Sequence, residues 1–163
     1  MNEIVSAVII GIGATLVMDG WGLVRKKLLG IPPADYALVG RWLGHMTQGR
    51  FRHERIAAAS PVPAERLLGW GAHYLIGVVF ALLLVAMCGV GWVRQPTVLP
   101  ALAWGILTVA APFLLMQPGM GAGVAASRTP RPNAARLQSL ITHSVFGLGL
   151  YGSALVLNVL KGV

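Results

Sequence analysis

Four apolar stretches, each about the 20 residues that a helix needs to cross a bilayer, divide this chain. Hydrocarbon offers no water to backbone N–H and C=O groups, so such stretches fold as helices that satisfy their own. The first runs from about Ile4 to Val24 and stops at Arg25-Lys26-Lys27, a triplet too costly to bury at the bilayer centre. The second runs from about Leu67 to Cys88, after Ser60-Pro61-Val62-Pro63-Ala64-Glu65, where Ser60 can cap and the prolines suit a first turn. The third runs from about Thr97 to Met116. Pro112 inside it is expected to kink the helix and to free the carbonyl of Thr108. The fourth, from about Leu137 to Leu160, closes at Lys161.

Composition agrees with that reading. Of 163 residues 56% are hydrophobic and 11% charged, whereas soluble domains carry about 25% charge. The expectation is an all-α polytopic membrane protein: one transmembrane domain over residues 1–163, a four-transmembrane-helix bundle with cytoplasmic connections at about 25–66 and 117–136. The first stretch follows Met-Asn-Glu, with no basic n-region and no small-x-small cleavage site, and so reads as a retained helix rather than a signal peptide. A single Cys88 excludes an intrachain disulfide and any CxxC motif.

The basic residues set the direction of the spans. Arg25, Lys26, Lys27, Arg41, Arg50, Arg52, Arg55 and Arg66 flank the first connection, and Arg128, Arg131 and Arg136 the second. Only Arg94 and Lys161 remain for the opposite side, so both termini are expected to face outward. A net charge of +8 distributed in this way argues for membrane lipids as partners and against nucleic acid. Within the first connection, residues 35–46 have helical periodicity. Tyr36, Val39, Leu43 and Met46 share one side and Arg41 and His45 the other, which suits a short interfacial helix on the cytoplasmic face or a solvated helix packed under the bundle.

Ionisable residues inside spans are expensive and are functional by default. Asp19, His73 and His143 are such residues. At 1.5 Å per residue they lie about 9–10 Å from Arg25, Arg66 and Arg136 respectively, and so in one layer near the cytoplasmic side. Each shares a helix face with small residues: Gly11, Thr15 and Gly22 for Asp19; Gly69, Gly77 and Ala81 for His73; Ser139 and Gly147 for His143. Met116 and Gln117 fall at the same level on the third helix. Two imidazoles and a carboxylate form a set suited to a divalent transition metal, and two axial histidines to haem. The same groups suit proton carriage, or a structural role as hydrogen-bonded pairs.

Two features outside the layer bear on anion binding. Gly119 to Gly123 followed by Ala125-Ala126-Ser127-Arg128 suits either an anion-binding turn, with Arg128 as contact, or a tight loop. Arg50 and Arg52, within Arg50-Phe51-Arg52-His53-Glu54-Arg55, suit either acidic lipid headgroups or a topogenic charge run. Neither a Ser-His-Asp arrangement nor HExxH is present, and without a catalytic motif a non-enzymatic role is expected.

The stretches Gly13-Ala14-Thr15-Leu16-Val17-Met18-Asp19, Asp35 to His45, and Thr142 to Tyr151, with Gln117-Pro118 and Ala125 to Pro130, resemble a family of small bacterial inner-membrane proteins of unknown function. The resemblance implies an inner-membrane location with periplasmic termini, and no activity. Three roles compete: a metal or haem protein centred on Asp19, His73 and His143; a small proton-coupled transporter acting as a homodimer; and a membrane scaffold whose polar layer is structural.

Overall fold

In the computed structural model, which describes residues 2–162, the long helices start and stop where capping chemistry permits. Helix α1 (Glu3–Leu29) begins on Asn2, whose side-chain oxygen accepts from the Ile4 N–H at 3.0 Å. It ends on Gly30, left-handed at φ 66°, whose N–H reaches the Lys26 carbonyl. Helix α2 (Tyr36–Met46) begins on Asp35, which accepts from the Ala37 N–H at 3.0 Å. Helices α3 (Glu65–Cys88), α4 (Val90–Arg94) and α5 (Val98–Leu107) follow, then one turn, α6 (Gln117–Met120), and α7 (Pro132–Lys161) with proline in its first position.

Glu3–Leu29, Glu65–Cys88, Val98–Met120 and Pro132–Lys161 are each long and apolar enough to cross a membrane. The protein is therefore all-helical with four candidate spans, as the apolar stretches require. The helices outrun those stretches at the charged ends. Hydropathy marks where lipid would end, but α1 keeps its ladder through Arg25, Lys26 and Lys27 until Gly30. The expected kink takes a specific form. Pro112 has no N–H for the α-ladder; α5 stops at Leu107, and Pro112–Met116 is wound as a π-helix before α6.

The chain forms two compact units: Met1–Pro33, Tyr74–Thr108 and Ile141–Val163 make the first, Ala34–His73 and Val109–Leu140 the second. The first has an apolar core of Ile10, Ala14, Ala81, Leu84, Phe146 and Leu150, each at most 2% exposed. Small residues let its helices close up. A Cβ on Gly105 would lie 2.5 Å from the Gly147 Cα, so α5 and α7 touch backbone to backbone. At one end of this unit the Asn158 amide donates to the carbonyls of Val93 and Arg94, and Lys161 donates to Ser6. Outward-facing Leu16, Leu75, Leu99 and Val159 are exposed, as lipid-facing side chains of spans would be.

In the second unit α2 lies along the first turns of α3. The Tyr36 ring stacks on His73 at 4.0 Å and meets Trp70 at 4.7 Å. Gly40 and Gly69 bring the backbones so close that a Cβ on either would strike the carbonyl of Glu65 or of Tyr36. The packed side of α2 is thus its glycine side, and the buried residues are Val39, Gly40 and His45. Apolar periodicity alone pointed to Tyr36, Val39, Leu43 and Met46, because it does not register the pull of a glycine-to-glycine backbone contact.

Candidate functional site

Two hydrogen-bonded pairs sit within the candidate spans of the first unit. Asp19, on the small-residue face of α1 with buried Gly11, Thr15 and Gly22, accepts the Tyr74 phenol on Oδ2 at 2.9 Å. On α7, His143 places Nδ1 2.8 Å from the hydroxyl of Thr108 at the end of α5. That hydroxyl also lies 2.6 Å from the Gly105 carbonyl, which can only accept. The Thr108 hydrogen is therefore spent on Gly105, and His143 donates its Nδ1–H to Thr108. In the neutral ring the lone pair then sits on Nε2. The close contact of Gly105 with Gly147 and the His143 carbonyl brings these two helix segments to hydrogen-bonding range.

Arg25 belongs to the same unit. It is 9% exposed, and its guanidinium donates to the Pro32 carbonyl at 3.1 Å and approaches the Thr142 hydroxyl at 3.4 Å. Its expected role as a marker of the membrane edge says nothing of this inward turn. The Pro32-Pro33 segment folding back after Gly30 supplies the acceptor, and a sequence does not display it.

The second unit holds a network outside the spans. The Arg41 guanidinium forks the Glu65 carboxylate, Nε to Oε2 at 2.8 Å and Nη2 to Oε1 at 2.9 Å, and also donates to the Ala59 carbonyl at 3.0 Å. Trp42 donates to the Phe51 carbonyl at 2.9 Å. His45, 3% exposed, meets the Ser60 carbonyl through Nε2 at 3.0 Å and His53 Nε2 through Nδ1 at 2.7 Å. Since the Ser60 carbonyl can only accept, His45 Nε2 carries hydrogen. In the neutral pair His53 Nε2–H then donates to His45, and His53 Nδ1 is left buried with a lone pair and no hydrogen-bond partner. Burial pushes the His53 pKa below the ordinary histidine value, the charges of His45 and Arg50 add to the drop, and the backbone contact with Gly119 opposes it.

Gln117 and Met116 lie where the π-helix passes into α6, and Gln117 Oε1 is buried without a hydrogen-bond partner. The loop after α6 is closed on itself. Its N–H groups of Ala122, Ser127 and Arg128 donate to the carbonyls of Gln117, Val124 and Ala122, and Ala125, at φ 46°, gives its carbonyl to Arg136 at 2.8 Å. A turn that spends those donors internally has the form of a tight loop, and Arg128 stands on it.

The sequence-expected trio is divided between the two units. Asp19 and His143 belong to the first unit and His73 to the second, and no group of three or more His, Cys, Asp and Glu that could hold a metal ion exists among the described residues. Equal depth along helices does not fix azimuth, and each group has a different near neighbour: Asp19 has Tyr74, His143 has Thr108, and His73 has the Tyr36 ring. Tyr74 and Thr108 are the partners that sequence reasoning passed over. Tyr74 adjoins His73, and Thr108 lies four residues before Pro112, where only its carbonyl drew notice.

No curated protein and no solved structure matches this chain. The family model described as DUF2938, Protein of unknown function, matches residues 8–157. With nearly the whole length matched, from the first span to the last, the chain belongs to the DUF2938 family of unknown function.

Proposed function

We propose that this protein is a small proton-coupled transporter of the bacterial inner membrane, with His143 and Asp19 as its proton-carrying groups. The observation that carries the reading is the chain His143 Nδ1–H to Thr108 to Gly105, which fixes the imidazole and leaves Nε2 as the basic atom inside a span. A proton arriving at Nε2 makes the imidazolium without breaking the bond to Thr108, and leaving restores the neutral ring. Asp19, held by the Tyr74 hydroxyl, is the second acceptor: its carboxylate takes a proton while the phenol keeps its own.

Four spans are few for an alternating pathway, so the working unit in this reading is a homodimer. The arginine-rich segments face the cytoplasm and both termini the periplasm, by the charge asymmetry of the connections. Reconstitution into liposomes that enclose a pH-sensitive dye tests the reading. Under a potassium diffusion potential the wild type admits protons faster than protein-free liposomes, and Asp19→Asn does not. Equal rates for wild type and empty liposomes would remove the proposal in favour of a structural polar layer.

A further inference from the structure

Arg50, Arg52 and Arg55 open onto one depression of about 400 Å³ on the second unit, together with His53 and Glu54. Among the described residues none of these three guanidinium groups is hydrogen-bonded or ion-paired, whereas Arg41 spends its fork on Glu65. Three exposed, unpaired arginines around one glutamate in a single concavity make a locally positive surface that favours an anion.

The segment that carries them is held in place. Trp42 donates to the Phe51 carbonyl, Arg41 to the Ala59 carbonyl, and His45 to the Ser60 carbonyl, while the Arg50 N–H reaches the His45 carbonyl at 3.1 Å and the His53 N–H the Gly119 carbonyl at 2.9 Å. Gly121, at φ 95°, brings its backbone against the carbonyls of His53 and Glu54, where a Cβ would collide. A topogenic charge run needs only a count of positive residues on one side. It does not need them gathered around one hollow, nor the loop beneath them tied to α2 and α6. A loop ordered in advance costs a ligand little on binding.

We propose that Arg50, Arg52 and Arg55 form a phosphate-binding site. Guanidinium groups pair with phosphate oxygens through two parallel N–H donors, a geometry that ammonium cannot reproduce. The phosphate belongs either to the headgroup of an anionic phospholipid or to a free phosphate in the adjoining solution. The site lies outside the candidate spans and stands independently of the proton reading above.

The test uses the full-length protein in detergent, with native mass spectrometry for lipid adducts and calorimetry for inorganic phosphate. Phosphatidylglycerol and phosphatidylcholine are the lipid probes. Wild type should retain phosphatidylglycerol over phosphatidylcholine, or bind inorganic phosphate, or both; the first result assigns the site to a headgroup and the second to free phosphate. The combined variant Arg50→Gln/Arg52→Gln/Arg55→Gln should lose that binding, with Arg94→Gln unchanged. The combined variant Arg50→Lys/Arg52→Lys/Arg55→Lys keeps the charge and the topogenic signal, and should bind about tenfold more weakly because the fork is gone. Undiminished binding in the lysine variant, or no binding of any of these probes to wild type, would overturn the proposal.

Discussion

The hydroxyl of Thr108 stands between two groups, 2.6 Å from the Gly105 carbonyl and 2.8 Å from His143 Nδ1, and its single hydrogen can serve only one of them. The carbonyl has no hydrogen to offer, so the imidazole donates. Nitrogen-15 spectra of histidine-labelled protein in lipid should show His143 with hydrogen on Nδ1 and an unprotonated Nε2 at alkaline pH. In Thr108→Val that preference should be lost, and the proposed proton flux should fall by about tenfold, the equivalent of one hydrogen bond of roughly 1.4 kcal/mol. A His143 signal with Nε2–H in both proteins would contradict the assignment.

Close backbone contact predicts where a methyl group is not tolerated. A Cβ on Gly105 would meet the Gly147 Cα at 2.5 Å, whereas nothing lies within 4 Å of one on Gly20. Gly105→Ala should therefore cost about 1–3 kcal/mol, seen as a lower thermal midpoint in detergent. Gly20→Ala should be neutral or stabilising by up to ~1 kcal/mol through helix propensity. Equal midpoints for the two variants would remove the packing argument.

The His45–His53 pair makes stability depend on pH. His53 has a folded pKa below its unfolded one, so the unfolded chain binds the proton more readily. The contribution is complete above the ordinary histidine pKa of about 6.5 and is lost as pH falls through the depressed folded value. His45, Arg50 and the Gly119 backbone are the groups that set this value besides burial. Thermal midpoints from pH 8 to pH 5 should fall more steeply for wild type than for His53→Gln, and parallel curves would contradict it.

Arg41 fastens the segment after α2 by a two-pronged bond to Glu65 and a third to the Ala59 carbonyl. Arg41→Lys keeps the charge but cannot span those acceptors. Amide hydrogen exchange across residues 50–64 should speed up in that variant while α7 is unaffected. Unchanged exchange would mean that Trp42 and His45 hold the segment unaided.

The spans were legible because hydropathy and length answer directly to bilayer thickness, and the small-residue faces of α1 and α7 were legible because close packing admits little else. Asp19 and His143 stood out for the same reason, since charge in lipid is rare. Their partners did not. Whether His143 meets Thr108 or another helix depends on rotation about each helix axis, which depth along the sequence leaves open. His45 read as a solvated residue because its acceptor, Ser60, and its neighbour, His53, come from a loop whose path no periodicity describes. Arg50, Arg52 and Arg55 were visible as charge but not as a cluster, because the turn that gathers them is fixed by hydrogen bonds to carbonyls, which every residue possesses.

The most direct measurement of the central claim is the initial rate of dye acidification in liposomes bearing wild type, His143→Ala or Asp19→Asn at matched protein content. Proton carriage through these groups predicts a rate above that of empty liposomes for wild type, and a fall of roughly a hundredfold or to the empty-liposome level in both variants, in the range that a positioned acid–base group supplies. A His143→Ala protein that matches the wild-type rate would contradict it.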